Sequence, residues 1–412
     1  MNILIKNAYN TFNYGSMMMV ENVITYLNKF LKETEINFYI DTNDDIHINR
    51  LREATNHKNI FKDKIYGYKL ITEKVKYVRY IERKLRENLF FKKKIKFYDV
   101  TIILGGDDYA ETYFRIPQDN LAIKNVFKTL TKINENSNLF MIGQTIGPYT
   151  GERKEWAKET FKDIKIYSRD DVSAKYVLDE LNKKVEISRD LAFLDLNLQP
   201  SYVGKKKELL DKYKLKENEY ITLVGTGLID CYTDNENDFL NSFINIIELL
   251  QNKYPKKKVV FLSHVVTPFP YPSDNVLIDK ILNKKPKLKK ELVIIKDTLL
   301  PVYARVILGC GYMTVTCRMH AAVSTFQMGK PAISLSYSPK YEGVIGKGLN
   351  CDELVIQCKD KQIWEGLIVN KIEGKIDYIN TNYTSLKTKI EKEVKRSQDR
   401  IYDTLEDISK LI

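Results

Sequence analysis

Short β-branched runs that end in glycine alternate with amphipathic helical stretches along this chain. That alternation constrains the fold more than any other feature. Strands that take turns with helices build parallel sheets flanked by helices. In the first half the pattern predicts strands over Asn2 to Lys6, Ile36 to Ile40, Val100 to Leu104, Leu139 to Ile142 and Ile164 to Tyr167. Helices are expected over Ser16 to Leu31, Leu121 to Ile133, Glu152 to Phe161 and Val172 to Leu181. In the second half, strands are expected over Tyr220 to Val224, Val259 to Leu262, Leu292 to Ile295, Met313 to Thr316 and Ala332 to Leu335. Asp238 to Asn252 reads as a helix, as does Ala321 to Met328, stopped by Gly329 and Pro331.

The 412 residues are more than one core usually spans. The texture changes at Leu196 to Lys207, where Pro200, Ser201 and Gly204 lead into a lysine run. The expected organisation is therefore a Rossmann-like domain over 1–198, a second over 199–380 and a helical segment over 381–412. The fold class is α/β, two parallel-sheet domains facing across a cleft between their sheet edges.

Hydrophobic residues make up 43% and charged residues 29%, as in soluble globular proteins. No run approaches the roughly 18 apolar residues of a membrane span. Met1 to Asn7 reads as a strand, not an export signal, and the five cysteines lack C-x-x-C spacing. The expectation is reduced thiols in a cytoplasmic protein. Lysine and arginine exceed aspartate and glutamate by 66 to 54, a net charge of +12. Arg79 to Lys96 concentrates that excess among Leu85, Leu89, Phe90 and Phe91. Such a segment suits peripheral contact with an anionic membrane at its inner face or with a diphosphate-linked substrate, or else forms a solvated basic face. No nucleic-acid motif accompanies the charge, so nucleic acid is not an expected partner.

Chemistry concentrates at the strand ends. Arg318-Met319-His320 falls where a strand hands over to a helix, the sheet edge at which α/β proteins bind ligands. Arg318 offers a guanidinium fork to a carboxylate or phosphate, and His320 can give or take a proton near neutral pH. The plainer alternative is a helix start whose Arg and His satisfy nearby carbonyls. Other strand ends carry Asn13-Tyr14-Gly15-Ser16, Gly105-Gly106-Asp107-Asp108, Gly143-Gln144-Thr145-Ile146-Gly147-Pro148, Ser168-Arg169-Asp170-Asp171 and Gly225-Thr226-Gly227. Glycine there allows close backbone approach to a ligand, or simply turns the chain. Arg169 is a second cationic candidate for a phosphate; pairing with Asp170 or Asp171 is the alternative. His264 ends a strand before Pro268, Pro270 and Pro272 and is read as an accessible cleft histidine or a structural one. His47 and His57 are read as surface residues. With four scattered histidines and no cysteine cluster, no metal is expected.

This set of motifs, completed by Gly329-Lys330-Pro331-Ala332-Ile333-Ser334-Leu335-Ser336-Tyr337-Ser338-Pro339-Lys340, resembles the polysaccharide pyruvyl transferases in content, order and spacing from Asn13 to Lys340. The resemblance implies a GT-B-like fold. It also implies ketal-pyruvyl transfer from phosphoenolpyruvate, a co-substrate with no further cofactor, to a sugar or lipid-linked oligosaccharide of a bacterial surface glycan. On that basis His320, Arg318 and Asp107 are the expected catalytic residues. Arg169, Arg318, Ser336, Ser338 and Lys340 would bind donor. Asn13, Gly15, Ser16, Asp107, Asp108 and Gln144 would bind acceptor in the N-terminal domain. Gly106, His264, Gly225 and Thr226 would line the cleft. Departures from the family pattern are Gly105-Gly106-Asp107, the run Met17-Met18-Met19, and Met319 in place of the commoner leucine. Competing readings are a glycosyltransferase using a nucleotide sugar, with Gly225-Thr226-Gly227 and Arg318 on its diphosphate, and a non-catalytic glycan-binding protein. Oligomeric state is left open.

Overall fold

The computed structural model describes residues 1–63, 94–111, 120–268 and 272–412. Most of the basic membrane-contact candidate, residues 79–93, lies outside the described residues.

The chain forms two compact units. One comprises 1–11, 19–191 and 400–412, the other 12–18 and 192–399. The main crossing at 191/192 falls seven residues before the boundary expected from the texture change. Two features of the division had no sequence signal. Phe12 to Met18 belongs with the second unit, and the C-terminal helix Leu367–Leu411 is shared between both. That helix starts ahead of the polar stretch expected to be helical, and its backbone leaves helical geometry at Asn382.

The first unit is built on strands β1 (Asn2–Lys6), β2 (Asn37–Ile40), β3 (Ile60–Lys62), β4 (Val100–Leu104), β5 (Asn138–Gln144), β6 (Lys165–Ser168) and β7 (Glu186–Ile187). Their order is β3-β2-β1-β4-β5-β6-β7, with every pair parallel. The second unit holds β8 (Tyr220–Val224), β9 (Lys258–Leu262), β10 (Val293–Ile295), β11 (Thr314–Thr316), β12 (Ala332–Ser336) and β13 (Val355–Gln357). Their order is β10-β9-β8-β11-β12-β13, again parallel throughout. The central strands β4, β8 and β12 are buried at every position. Covering helices on both faces remove the in–out alternation of a half-exposed strand, which is why these strands read as continuous apolar runs.

Among the described residues six α-helices escaped the sequence reading, three of them ten residues or longer. Asp45–Thr55 is largely polar and is fixed at its start by Asp44, whose carboxylate accepts the Ile46 N–H at 3.0 Å. Asp274–Lys284 is capped by Ser273. Pro301–Cys310 is buried almost all round, so it has no polar face to give a helical period. His47, on the first of these, and His57, just beyond its end, are both half-buried, correcting their reading as surface residues. His47 Nδ1 lies 2.8 Å from Thr11 Oγ1, and the His57 ring packs edge-on against Phe38. Met17, Met18 and Met19 are all buried, so the departure at the first motif is a packing choice.

Candidate functional site

Each sheet reverses its strand order once, between β1 and β4 in the first unit and between β8 and β11 in the second. At such a reversal the two covering layers diverge and leave a crevice beyond the carboxyl ends of the strands. The motif residues sit at those ends. Gly105 to Asp108 follows β4, Gly225 to Gly227 follows β8, and Cys317-Arg318 follows β11.

In the second unit, Arg318 is the N-cap of the helix Met319–Gln327, with backbone φ −106° and ψ 113° and no side-chain cap for the first turn. That helix end keeps its positive dipole without a side-chain cap. The Arg318 amide donates to Thr316 Oγ1 at 2.8 Å. Its guanidinium is gripped by Asp274, with Nε at 3.0 Å and Nη2 at 2.6 Å from the same oxygen, Oδ1. Burial draws the Arg318 pKa down, but the Asp274 charge more than compensates, so the net shift is upward and the cation is secured.

His320 follows one residue later. Its ring covers Gly15, where an added Cβ would lie 2.2 Å from Nδ1. Phe12 to Met18 is therefore part of this site's wall, rather than of an N-terminal acceptor domain. Asn13 pairs with Val265 in an antiparallel bridge, and the Tyr14 amide donates to the His264 carbonyl at 3.2 Å. Asn13 Oδ1 accepts from the Gly15 and Ser16 amides, capping the helix Tyr14–Phe30. The Tyr14 ring meets His264 edge-on at 5.4 Å between centroids.

His264 is 1% exposed, so of its two sequence readings the accessible one does not hold and the buried, structural one fits. Burial pushes its pKa well below the ordinary histidine value, and the nearby charges of His320, Arg318 and Arg305 push the same way. The imidazole is therefore neutral at neutral pH.

The glycines of Gly225-Thr226-Gly227 approach the chain itself. A Cβ on Gly227 would sit 2.5 Å from the Ser273 carbonyl oxygen, and one on Gly225 would sit 2.3 Å from Leu277 Cδ2. Thr226 is buried and accepts the Leu228 amide. The Gly227 amide is taken by Asp274 Oδ1 at 3.2 Å. After β12, Ser336 Oγ donates to the Ser338 carbonyl at 2.9 Å, while Ser338 Oγ is buried with no hydrogen-bond partner among the described residues. Lys340 Nζ donates to the Tyr337 hydroxyl at 2.8 Å and lies over that ring. The buried hydroxyls of Tyr232 and Tyr341 brace the Cys317 carbonyl just ahead of Arg318, at 2.9 and 2.5 Å.

In the first unit the cluster centres on Arg169, which is 1% exposed. Its Nη2 reaches Asp107 Oδ1 at 2.5 Å, Nη1 reaches Asp190 Oδ2 at 3.4 Å, and Nε donates to Thr145 Oγ1 at 2.8 Å. Neither Asp170 nor Asp171 is the partner. Asp170 caps the helix Asp171–Leu181 through the Ser173 amide, and Asp171 pairs with Arg189 at 2.9 Å. Two Ser-Arg-Asp runs, 168–170 and 188–190, thus lie side by side where β6 and β7 end. The Ser188 amide bonds the Ser168 carbonyl at 2.7 Å, and each run's arginine pairs with an aspartate from the other segment. Gln144 is fully buried and donates to the Ile103 carbonyl at 3.0 Å. Asp108 is exposed and accepts from Asn7 Nδ2, and Gly106 is half-buried beside it.

Asp274, Asp190 and Tyr14 were not singled out from sequence. Asp274 had a faint signal as the first residue after a serine cap. The repeated Ser-Arg-Asp was the available clue to Asp190. Among the described residues no group of three or more His, Cys, Asp or Glu is placed to hold a metal, and no helix is long and apolar enough to cross a membrane.

Two parallel-sheet α/β domains with charged groups at each sheet's reversal define a GT-B-like protein. Solved structures share this fold. A UDP-GlcNAc 2-epimerase from Neisseria meningitidis superposes with a TM-score of 0.61 at 13% identity over 100% of both chains. A putative UDP-N-acetylglucosamine 2-epimerase from Listeria monocytogenes gives 0.58 at 11% identity, over 94% of this chain and 90% of that one. Residues 13–339 match the polysaccharide pyruvyl transferase family, and the chain belongs to that family. The amylovoran biosynthesis protein AmsJ of Erwinia amylovora is 22% identical over 318 residues, 76% of this chain and 72% of AmsJ. The chain is thus a transferase of polysaccharide synthesis.

Proposed function

We propose that the protein moves the pyruvyl group of phosphoenolpyruvate onto two hydroxyls of a surface-polysaccharide sugar or its lipid-linked precursor, forming a cyclic ketal. The observation that carries this reading is the pairing of a secured cation, Arg318, with a proton-transfer group, His320, at the start of one helix beyond the reversal of the second sheet. The donor carries one carboxylate and one phosphate, and a guanidinium at an uncapped helix start suits such a dense anion.

In this mechanism His320 protonates the methylene carbon, leaving a cationic carbon that a sugar hydroxyl attacks. A second hydroxyl of the same sugar displaces phosphate and closes the ketal. The two hydroxyl protons are balanced by the new methyl C–H and the departing phosphate. His320, deprotonated by the first step, serves as base in the second. Asp107, fixed by Arg169, is the proposed acceptor-side carboxylate; Arg169 acts through it, because each of its three nitrogens already holds a partner in the first unit.

A diphosphate cradle at Gly225-Thr226-Gly227 finds less support, since Asp274 already occupies the Gly227 amide and the glycines press on Ser273 and Leu277. The test is a thermal-shift titration with phosphoenolpyruvate and, separately, with UDP-N-acetylglucosamine. A ligand that binds only the folded state raises Tm. Stabilisation by phosphoenolpyruvate that persists in His320→Ala while transfer is lost is the expected result. Stabilisation by the nucleotide sugar alone, or undiminished transfer by His320→Ala, overturns the assignment.

A further inference from the structure

We propose that Asp274 is a positioning residue that holds the Arg318 guanidinium so that Nη1 faces the ligand anion. The inference rests on the donor reading above for the identity of that anion, though not for the geometry. Asp274 is 1% exposed, yet its carboxylate collects five donors. Oδ1 takes Arg318 Nε, Arg318 Nη2 and the Gly227 amide. Oδ2 takes the His264 amide at 3.0 Å and the Val265 amide at 2.8 Å.

The side-on grip by one oxygen fixes the plane of the guanidinium and consumes one of its edges. Nη1 makes no hydrogen bond with the described residues. Three segments converge on this carboxylate, following β8, β9 and β11, and Asp274 ties them in one register. The same residue therefore sets where Arg318 points and where the buried, neutral His264 ring sits. An arginine free to swing would have to be ordered when the anion arrives, whereas one already held loses less on binding.

The sign of the effect separates positioning from simple charge. Asp274→Asn removes a negative charge beside an anion site, so Coulomb's law alone predicts tighter anion binding. Positioning predicts the reverse. Phosphoenolpyruvate affinity is measured by calorimetry on the full chain carrying Asp274→Asn, Asp274→Glu, Arg318→Ala, and Asp274→Asn combined with Arg318→Ala. The expected result for Asp274→Asn is a Kd raised about tenfold or more, since displacement of a binding group by about 1 Å is severe. Asp274→Glu keeps the charge and shifts the carboxylate by one methylene, so it should weaken binding too, and it serves if the Asn variant does not fold. On the Arg318→Ala background, Asp274→Asn should cause no further loss.

Unchanged or tighter binding by both single variants overturns the proposal. So does a loss in the double variant equal to the sum of the separate losses, because independent effects add. If the wild-type chain ignores phosphoenolpyruvate but binds UDP-N-acetylglucosamine, the donor reading fails. The same four variants titrated with that diphosphate then decide the role of Asp274 by the same criteria.

Discussion

A Cβ atom on Gly15 would lie 2.2 Å from Nδ1 of His320, a separation no relaxed structure tolerates. These residues are 305 positions apart, yet one exists as glycine because the other's ring rests on its backbone. Gly15→Ala must therefore move the imidazole, since the backbone of the helix start is pinned by Asn13 and Tyr14. Pyruvyl transfer should fall by about 100-fold, the scale of a 1 Å misplacement. Phosphoenolpyruvate affinity should change much less. Steady-state kinetics, with the His320 ring followed by NMR chemical shift, check this.

Arg169→Ala strands Asp107 and Asp190 without their common cation. Asp190 is fully buried and Asp107 nearly so. Breaking a buried pair from one side destabilises by about 3–5 kcal/mol. Denaturant unfolding of the variant should show this loss, and Arg169→Lys should recover only part of it, because an ammonium cannot span Asp107, Asp190 and Thr145 as a guanidinium does. A variant as stable as the wild type would mean the cluster is far wetter than its burial indicates.

Stability should decline as pH falls from about 7 towards 5. Burial lowers the pKa of His264, and also that of His47 and His57. In the unfolded chain these rings take up protons near pH 6.5, before the folded forms do. The unfolded state therefore binds more protons in that window, and ΔG of unfolding rises with pH through it. The contribution is complete above about pH 6.5 and is lost below. His264→Gln should flatten the slope of Tm against pH over this range, with the larger share of the change coming from this most buried ring.

Thiol reagents should discriminate sharply. Cys231 is exposed, while Cys310, Cys317, Cys351 and Cys358 are buried. Burial pushes Cys310 up to about 11 and Cys351 and Cys358 up to about 12, far from the thiolate form that reacts. Mass spectrometry after brief alkylation of the native protein should find one label, on Cys231, and five after denaturation. Rapid native labelling at Cys310 would show that the second unit opens locally.

Much of the architecture was legible in the chain because it rests on local pattern. The apolar runs at Val100 to Leu104 and Tyr220 to Val224 could only be strands covered on both faces, and parallel order then followed from the intervening helices. The same logic placed Arg318 and His320 at a strand-to-helix junction. The helix Asp45–Thr55 stayed hidden because its buried face is narrow, Ile48, Leu51, Ala54 and Thr55 in an otherwise polar stretch, and Pro301–Cys310 because it is buried almost all round and has no polar face.

What the sequence by itself determined is thus the succession of strands and helices, their two-part grouping, and the family to which the motifs belong. The partners of the charged residues were decided by tertiary structure alone. Arg169 stands beside Asp170 in sequence but bonds Asp107 and Asp190, and Arg318 is held by an aspartate 44 residues away. Phe12 to Met18 joins a unit whose remaining residues begin at 192. Helical and strand periods come from neighbours along the chain, so one sequence reveals them. Side-chain pairing at a sheet's edge depends on which strands the fold sets next to each other, and that order is fixed only when both sheets close around their cores.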